Sequence, residues 1–99
     1  MIRVRFDPRA REELDAAIAY YEAAQPGLGR RFAEAMEVVV WRVQKNPETY
    51  RVIEGEIRQG RVRRFPYGVV FRIHGVDLEI IAVMHLHRRP GYWRSRIGR

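Results

Sequence analysis

The stretch Leu78-Glu79-Ile80-Ile81-Ala82-Val83-Met84-His85-Leu86-His87 decides the fold of this chain. Its centre, residues 80–84, is apolar at every position, which is typical of a strand covered on both faces inside a sheet. Because side chains alternate along a strand, the pattern predicts two faces. One face is expected to carry Leu78, Ile80, Ala82, Met84 and Leu86, and the other Glu79, Ile81, Val83, His85 and His87. We therefore predict a central β-strand over residues 78–87.

A basic and aromatic segment completes this strand and follows it. The segment contains His85, His87, Arg88, Arg89, Tyr92, Trp93, Arg94 and Arg96. Arginine forks match the geometry of phosphate and carboxylate groups, and histidine titrates near neutral pH. Trp93 is expected to pack on the sheet rather than to stack on a partner's bases, because a tryptophan buries a large apolar area. The end of the central strand is therefore a candidate site for an anionic partner.

Two further strands are predicted before the central one. Residues 61–65 and residues 69–74 have strand-like patterns on either side of a turn at residues 66–68. A weaker edge pairing is expected at Val52 and Ile53. Together with the central strand, these elements predict a three-strand antiparallel meander.

The predicted hairpin is rich in arginine. Its arginines are Arg61, Arg63, Arg64 and Arg72. They form either a solvated sheet face or a concave basic face that binds phosphates or an acidic segment of a partner protein. The charge distribution favours a partner, since residues 1–50 hold eight basic and eight acidic side chains while residues 51–99 hold eleven arginines and four acids. The whole net charge of +7 therefore lies in the second half.

The first half of the chain predicts a strand followed by a helical hairpin. Residues 2–6 alternate between apolar and arginine side chains, as in a strand with one buried face. Asp7 and Pro8 are typical of an N-cap and a first helical position, so a helix is predicted over residues 8–24. After a short turn, a second amphipathic helix is predicted over residues 28–45. The order of elements predicts an α+β fold in which an antiparallel helical hairpin packs on a small twisted sheet.

Composition excludes several classes of protein. The 99 residues predict one domain over residues 1–99. There is no cysteine, which excludes a disulfide framework and a thiolate metal site. No apolar run approaches the roughly 20 residues of a membrane span, and the charged N-terminal stretch does not resemble a signal peptide. We therefore expect a cytoplasmic protein without a membrane partner.

The histidines and arginines allow two interpretations. His85 and His87 have the spacing to share a metal ion, but no cysteine or acidic cluster accompanies them, so neither a metal site nor a cofactor is predicted. If the site cleaved RNA, His85 or His87 would exchange protons with the RNA. Arg64 and Arg72 would stabilise the charge on the phosphate, and Tyr92 would orient the RNA or donate a proton. The same residue types also occur on basic surfaces that only bind a partner, so the binding interpretation stays open as well.

The order of elements and several motifs resemble the RelE/ParE superfamily of toxins from bacterial type II toxin–antitoxin modules. The resemblance covers almost the whole chain. The motifs are Phe6-Asp7-Pro8-Arg9-Ala10, Ala19-Tyr20-Tyr21-Glu22, Asn46-Pro47, RRFPYGVVFRI at residues 63–73 and IIAVMHLHRRP at residues 80–90. The resemblance implies a small toxin that is held inactive by an antitoxin encoded beside it.

The superfamily divides by target, and the resemblance implies one function for each branch. ParE-like members poison DNA gyrase without an assigned catalytic residue, whereas RelE-like members cut messenger RNA on the ribosome. The ribonuclease branch carries lysines or a glutamate with an arginine on its middle strands, and here the only lysine is Lys45 on the second helix. We therefore predict a ParE-like gyrase inhibitor. The alternatives are a ribosome-dependent endoribonuclease that uses Arg64, His87 and Tyr92, and an inert member that retains only antitoxin binding.

The resemblance also implies two protein partners. The antitoxin is expected to contribute an acidic, amphipathic segment that folds on binding and forms a hetero-oligomer with the toxin. Its predicted contacts on the helical hairpin are Tyr20, Tyr21 and Trp41. The predicted target-binding residues are Arg63, Arg64, Arg72, His85, His87, Arg88, Arg89, Tyr92, Trp93, Arg94 and Arg96.

Overall fold

The structure, a computed structural model, describes residues 2–98. The elements are strand β1 (Arg3–Phe6), helices α1 (Pro8–Ala24) and α2 (Leu28–Lys45), and strands β2 (Arg51–Glu54), β3 (Ile57–Arg61), β4 (Tyr67–His74) and β5 (Asp77–His85). Short 3₁₀ turns lie at Pro47–Thr49 and Tyr92–Arg96. The five strands form one sheet in the order β1-β5-β4-β3-β2, with β1 parallel to β5 and the other neighbours antiparallel. The predicted α+β fold, with β5 inside the sheet, is confirmed.

The start of α1 follows the predicted capping chemistry. The Asp7 side chain accepts a hydrogen bond of 2.8 Å from the Arg9 amide, and Pro8 occupies the first turn. The Arg9 guanidinium also donates a hydrogen bond of 3.1 Å to the Asp7 carboxylate. Asp7 therefore satisfies one of the backbone donors that the first helical turn leaves free. Among residues 2–98, no helix has the length and apolar character that crossing a bilayer requires.

The junction between the two helices depends on Glu22 and two glycines. Gly27 has a φ of 88°, a left-handed conformation that glycine adopts without steric cost. The Glu22 carboxylate accepts hydrogen bonds from the amides of Gly27 and Gly29 and so caps α2 from the preceding helix. A Cβ at Gly29 would lie 2.6 Å from the Ile18 carbonyl oxygen. Only glycine therefore permits the close approach of α1 and α2 at this point.

The sheet has one strand more than the sequence analysis predicts. The predicted strand over residues 61–65 is wrong, because β3 ends at Arg61 and residues 62–66 form the turn to β4. The missed feature is a tight hairpin between β2 and β3 at Gly55, whose φ of 53° again suits glycine. The predicted edge pairing is therefore a full strand, and the meander has four strands.

A β-bulge in β5 changes which side chains share a face. Val70 pairs with Ala82 and Phe71 pairs with Ile80, which leaves Ile81 as the extra residue of the bulge. The predicted alternation is therefore wrong beyond Ile80. The core beneath the helices receives Leu78, Ile80 and Val83, and the core on the opposite face receives Ile81, Ala82 and Met84.

Each face of the sheet has its own apolar core. The helix-covered core includes Phe32, Met36, Val39, Val43, Val69, Phe71, Leu78 and Ile80. On the opposite face, Trp93 is 3% exposed and packs with Ile57, Val70, Ile81 and Ala82. Trp93 thus packs on the sheet as expected. The burial removes Trp93 from the target-contacting candidates, because a covered ring offers no face to a partner.

Candidate partner-binding surfaces

A large groove runs between α2 and the turn that joins β3 to β4. Its volume is about 790 Å³. Its floor is apolar and consists of Leu28, Ala35, Val38, Val39, Tyr50 and Phe65. Its remaining lining residues are Arg31, Arg42, Arg61, Arg63 and Arg64. We call this feature the arginine groove.

The arginines of this groove differ from most others in the chain. Within residues 2–98, nine arginines form ion pairs with carboxylates, and Arg58 donates to two backbone carbonyls. Among residues 2–98, the arginines whose guanidinium groups form neither an ion pair nor a hydrogen bond are Arg31, Arg42, Arg51, Arg61, Arg63, Arg64 and Arg89. All five groove arginines belong to this set. The groove therefore concentrates positive charge that the described part of the chain leaves unneutralised.

The turn at residues 62–66 forms one wall of the groove and contains a strained residue. Arg64 has a φ of 71°, the one non-glycine residue in the left-handed region within residues 2–98. This conformation costs an L-residue about 1–2 kcal/mol. The turn is closed by a hydrogen bond of 2.9 Å from the Val62 amide to the Tyr67 carbonyl. Glycine at this position would relieve the backbone strain.

A second charged surface, the basic end, lies where β5 finishes. Its members are His85, His87, Arg88 and Arg89. β5 ends at His85, two residues earlier than predicted, so His87 lies in the following loop. The His85 ring packs against Tyr67 at 5.3 Å and lies 5.2 Å from the His87 ring, centroid to centroid. Within residues 2–98, no group of three or more histidine or acidic side chains is placed to hold a metal ion.

The basic end touches the groove wall through the backbone. The Leu86 amide donates a hydrogen bond of 2.8 Å to the carbonyl of Pro66, the last residue of the turn. Across the same end of the sheet, Tyr67 pairs with His85. The turn therefore lies between the arginine groove and the basic end.

Three arginines of the predicted target-binding set lie elsewhere. Arg72 pairs with Glu79 at 2.9 Å, and both side chains are largely buried. Arg94 pairs with Glu54 at 2.7 Å. Arg96 is 10% exposed and pairs with Glu13. The guanidinium groups of these three arginines are already held by carboxylates of the described chain, which leaves them poorly placed to contact a target.

Glu13 on α1 holds the C-terminal 3₁₀ turn in place. Its carboxylate accepts a hydrogen bond of 2.7 Å from the Tyr92 hydroxyl and two, of 2.8 and 2.9 Å, from the Arg96 guanidinium. It also accepts from the Val83 amide at 3.0 Å, and Arg96 donates to the Ile81 carbonyl. We call this network the Glu13 clasp.

The clasp seals an exposed sheet edge. β1 pairs with β5 only as far as Ile80, so no strand of the described chain lies beside the outer edge of β5 from the bulge onward. Glu13 and Arg96 satisfy the amide of Val83 and the carbonyl of Ile81 at that edge. This role of Glu13 could not be predicted from the sequence, because the helical pattern places Glu13 only on a polar face and its partners lie about 70 or more residues away.

Electrostatics reinforce the clasp. Burial acts to raise the pKa of Glu13, but hydrogen bonds from Arg96, Tyr92 and the Val83 amide outweigh burial and hold that pKa below its ordinary value of 4.5. Burial and the hydrogen bond to Glu13 raise the pKa of the Tyr92 hydroxyl. The hydrogen bond with Glu13 also raises the pKa of Arg96. The charged pair and the neutral phenol are therefore the stable forms near neutral pH.

The lowered pKa of Glu13 predicts that acid weakens the fold. The stability that ionised Glu13 contributes is present above about pH 4.5 and is lost as the pH falls through the lower pKa of the folded state. We expect urea denaturation to show a smaller dependence on pH in Glu13→Gln than in the wild type, specifically below about pH 4.5. Parallel curves for the two proteins would contradict this assignment.

The three candidate ribonuclease catalysts have different surroundings. Arg64 lines the arginine groove, His87 lies in the loop of the basic end, and Tyr92 belongs to the Glu13 clasp. The Tyr92 ring is also covered by the guanidinium of Arg88, 3.9 Å from the ring centroid. Within residues 2–98, no hydrogen bond joins any two of the three catalysts.

The three candidate antitoxin contacts also differ in their surroundings. Tyr20 and Trp41 are 68% and 51% exposed, and Lys45 lies over the Trp41 ring. Tyr21 instead packs against Phe32 and Phe65, so its placement is that of a core residue. Tyr20 and Trp41 therefore remain candidates, and Tyr21 is corrected.

Fold and surfaces together define a small, arginine-rich α+β protein with one arginine-lined groove and a basic end beside it. Comparison with known proteins gives the particular family. The family described as ParE toxin of type II toxin-antitoxin system, parDE, matches residues 4–97, and the chain belongs to it. This confirms the predicted ParE-like branch. Family membership implies a cognate antitoxin as partner.

One solved structure agrees with this assignment at the level of the fold. It is the chromosomal ParDE TA system from P. aeruginosa, which is similar to this chain with a TM-score of 0.75 and 18% sequence identity. The similarity covers 86% of this chain and 96% of the other. No curated protein sequence matches this chain.

Proposed function

We propose that this protein is a toxin that inhibits DNA gyrase by binding to it in the cytoplasm, and that its antitoxin neutralises it by occupying the arginine groove. The observation that carries the proposal is the concentration of arginines without an ion pair, within residues 2–98, around the groove of a ParE-family chain. Gyrase as the target is the function that resemblance to the ParE-like branch implies.

The groove suits an acidic, amphipathic segment of the antitoxin. Its apolar floor would receive one face of such a segment, and the surrounding guanidinium groups would receive carboxylates from the edges of that face. Because none of the five arginines is paired within residues 2–98, binding would break no internal ion pair. Trp41, exposed on α2 beside the groove residue Arg42, would extend the apolar contact, and the product would be a toxin–antitoxin hetero-oligomer.

The basic end and the adjoining turn suit a contact with the target. The proposed target-binding residues are now Arg63, Arg64, His85, His87, Arg88 and Arg89. Tyr92 supports this surface from beneath, since its ring lies under Arg88. Its hydroxyl is engaged by Glu13 and its pKa is raised, so Tyr92 is poorly suited to proton transfer. This favours inhibition by binding over cleavage of messenger RNA.

Expression in bacteria that lack the antitoxin tests this proposal. We expect growth arrest, loss of negative supercoiling in a reporter plasmid, and intact messenger RNA. Messenger RNA cut on ribosomes, with supercoiling unchanged, would replace the proposal with the endoribonuclease. Normal growth in the presence of folded protein would replace it with the inert, antitoxin-binding alternative.

A charge reversal at the basic end tests whether this surface contacts gyrase. Arg89→Glu is expected to weaken inhibition of gyrase supercoiling by roughly tenfold, because a like charge facing an acidic partner surface is strongly unfavourable. Arg30→Glu is the matched control, since Arg30 is an exposed arginine of α2 that already pairs with Glu34. Equal inhibition by both variants would remove Arg89 from the target surface.

A further inference from the structure

We infer that the pocket between α1 and the end of β5 is the site where the toxin receives an acidic side chain of its target protein. The pocket, which we call the anchor pocket, has a volume of about 310 Å³. The inference rests on the proposed function, because it concerns the same target. It adds a binding site and the chemistry of the group that this site receives.

The anchor pocket has an apolar floor and a polar rim. Its floor consists of the small side chains Ala16, Ala17 and Val83. Its rim consists of Glu13, Tyr20, Tyr67, His85 and Arg88. A concave apolar floor with a few converging polar groups is typical of a site that holds one chemical group in a fixed orientation. Because His85 and Arg88 also belong to the basic end, the pocket is continuous with the proposed target surface.

The two tyrosines of the rim have hydroxyl groups that can donate to a ligand. Neither hydroxyl makes a hydrogen bond within residues 2–98. Burial raises the pKa of the Tyr67 hydroxyl, and the nearby Tyr20 and Glu13 raise it further. Tyr67 therefore keeps its proton at neutral pH and has it available for an acceptor.

His85 presents a further donor on the same rim. Its Nδ1 atom accepts a hydrogen bond of 3.1 Å from the His87 amide. The neutral imidazole therefore carries its proton on Nε2, and that atom can donate to a ligand. The His85 ring packs edge-on against the Tyr67 ring at 5.3 Å between centroids, which keeps the two donors close together.

Arg88 supplies the positive charge of the rim and is held in position. Its guanidinium lies 3.9 Å from the centroid of the Tyr92 ring and 3.7 Å from a Glu13 carboxylate oxygen. The second distance is too long for a hydrogen bond, so the guanidinium keeps its donors for a partner. Stacking on Tyr92 restricts its movement, and a group that is already positioned loses less conformational entropy on binding.

The chemistry of the rim selects an anion. The Glu13 carboxylate already accepts from Arg96, from the Tyr92 hydroxyl and from the Val83 amide, and Arg96 balances its charge. The other four groups of the rim can all donate, and converging donors with one guanidinium suit a carboxylate or a phosphate.

The floor favours a carboxylate from a protein. An aspartate or glutamate side chain can place its methylene groups on the small apolar side chains of the floor, where they are removed from water. A phosphate of duplex DNA is fixed to a broad helix that cannot enter so small a pocket. The anchor pocket is therefore suited to an acidic side chain that projects from the surface of the target.

Removing one hydroxyl from the rim tests the site without disturbing its packing. Tyr67→Phe is expected to weaken inhibition of gyrase supercoiling by roughly three- to tenfold, because a donor to the carboxylate is lost. The ring contacts of Tyr67 with Tyr21 and Phe32 are kept. Tyr21→Phe is the matched control, since Tyr21 packs in the same aromatic cluster but does not line the pocket, and it should change inhibition by less than about twofold.

Replacing the guanidinium by an ammonium group tests Arg88. Arg88→Lys keeps the charge but loses the fork and the stacking on Tyr92, so we expect inhibition to weaken by roughly tenfold. Arg11→Lys is the matched control, because Arg11 also lies over an aromatic ring, that of Phe6, and pairs with Asp15 away from the pocket. It should change inhibition by less than about twofold. Melting temperatures within about 3 °C of the wild type would show that all four variants are folded.

Binding to the gyrase subunits without DNA, and to a duplex oligonucleotide alone, identifies the source of the anion. Surface-tethered wild-type toxin is expected to bind DNA-free gyrase, and Tyr67→Phe and Arg88→Lys are expected to bind it more weakly by the same factors as in the inhibition assay. These losses, with both controls unchanged, support the anchor pocket. A loss that is confined to the duplex oligonucleotide would assign the pocket to a phosphate and overturn the inference, as would a wild-type toxin that needs DNA to bind gyrase.

The inhibition assay separates failure of this inference from failure of the proposed function. Inhibition at wild-type strength by either Tyr67→Phe or Arg88→Lys would overturn the inference and leave the gyrase proposal standing. Failure of the folded wild-type toxin to inhibit supercoiling would overturn the gyrase proposal, and the inference with it.

Discussion

Replacing Glu13 with alanine is expected to lower the free energy of unfolding by about 3–5 kcal/mol. The substitution leaves the Arg96 guanidinium, which is 10% exposed, without its carboxylate partner. It also removes the acceptors of the Tyr92 hydroxyl and the Val83 amide at the open edge of β5. Breaking one side of a largely buried ion pair is costly, because the remaining charge and polar groups lose their water without compensation. Urea denaturation followed by circular dichroism measures the loss.

Asp15→Ala is the matched control for this substitution. Asp15 is also on α1 and also pairs with an arginine, Arg11, but both of these side chains are more than 60% exposed. We expect Asp15→Ala to change the free energy of unfolding by less than about 0.5 kcal/mol. A loss below about 1 kcal/mol for Glu13→Ala would show that the clasp does not hold the C-terminal turn on the sheet.

Reversing three charges in the arginine groove is expected to reduce antitoxin affinity by roughly 10³-fold or more. The variant carries Arg31→Glu, Arg42→Glu and Arg61→Glu, which lie on both sides of the groove. Each change replaces an attraction to an acidic segment with a repulsion. Because none of the three arginines is paired within residues 2–98, the fold should lose little stability. Calorimetric titration with the purified antitoxin measures the affinity.

Single reversals on α2 provide the comparison for the triple variant. Arg42→Glu, inside the groove, is expected to weaken binding by roughly 10–100-fold, and Arg30→Glu by less than about threefold. The two positions are on the same helix, but Arg30 does not line the groove. Equal losses at both positions would mean that the antitoxin responds to total charge, and the groove would lose its assignment.

The local features of the sequence predicted the first half of the fold well. The N-cap at Asp7, the proline after it and the turn ending at Gly27 act over a few residues, so their chemistry can be read directly from neighbouring positions. The central position of β5 was predictable for a similar reason, because an unbroken apolar run needs cover on both faces.

The errors arose where one residue changes the register or the path of the chain. The extra residue at Ile81 preserves an apolar pattern while it moves Val83 beneath the helices. Nothing in the alternation distinguishes a bulged strand from a regular one when both faces are apolar. Likewise, the arginines after β3 matched a strand pattern, whereas Arg64 adopts a turn conformation unusual for its residue type.

The sequence predicted which residue types form the candidate site, but not how these residues are arranged. The sequence shows many arginines in the second half of the chain, and it cannot show which of them already have partners. Glu79 and Glu54 neutralise Arg72 and Arg94, and Glu13 on the distant first helix holds Arg96. Only the folded chain separates these structural arginines from the unpaired set around the groove.

Supercoiling of relaxed plasmid by purified gyrase, with wild-type toxin and with and without its antitoxin, tests the central claim most directly. We predict that the toxin alone inhibits supercoiling, that stoichiometric antitoxin restores it, and that the triple charge-reversal variant resists this restoration. Unchanged supercoiling at a large excess of folded toxin would contradict the account.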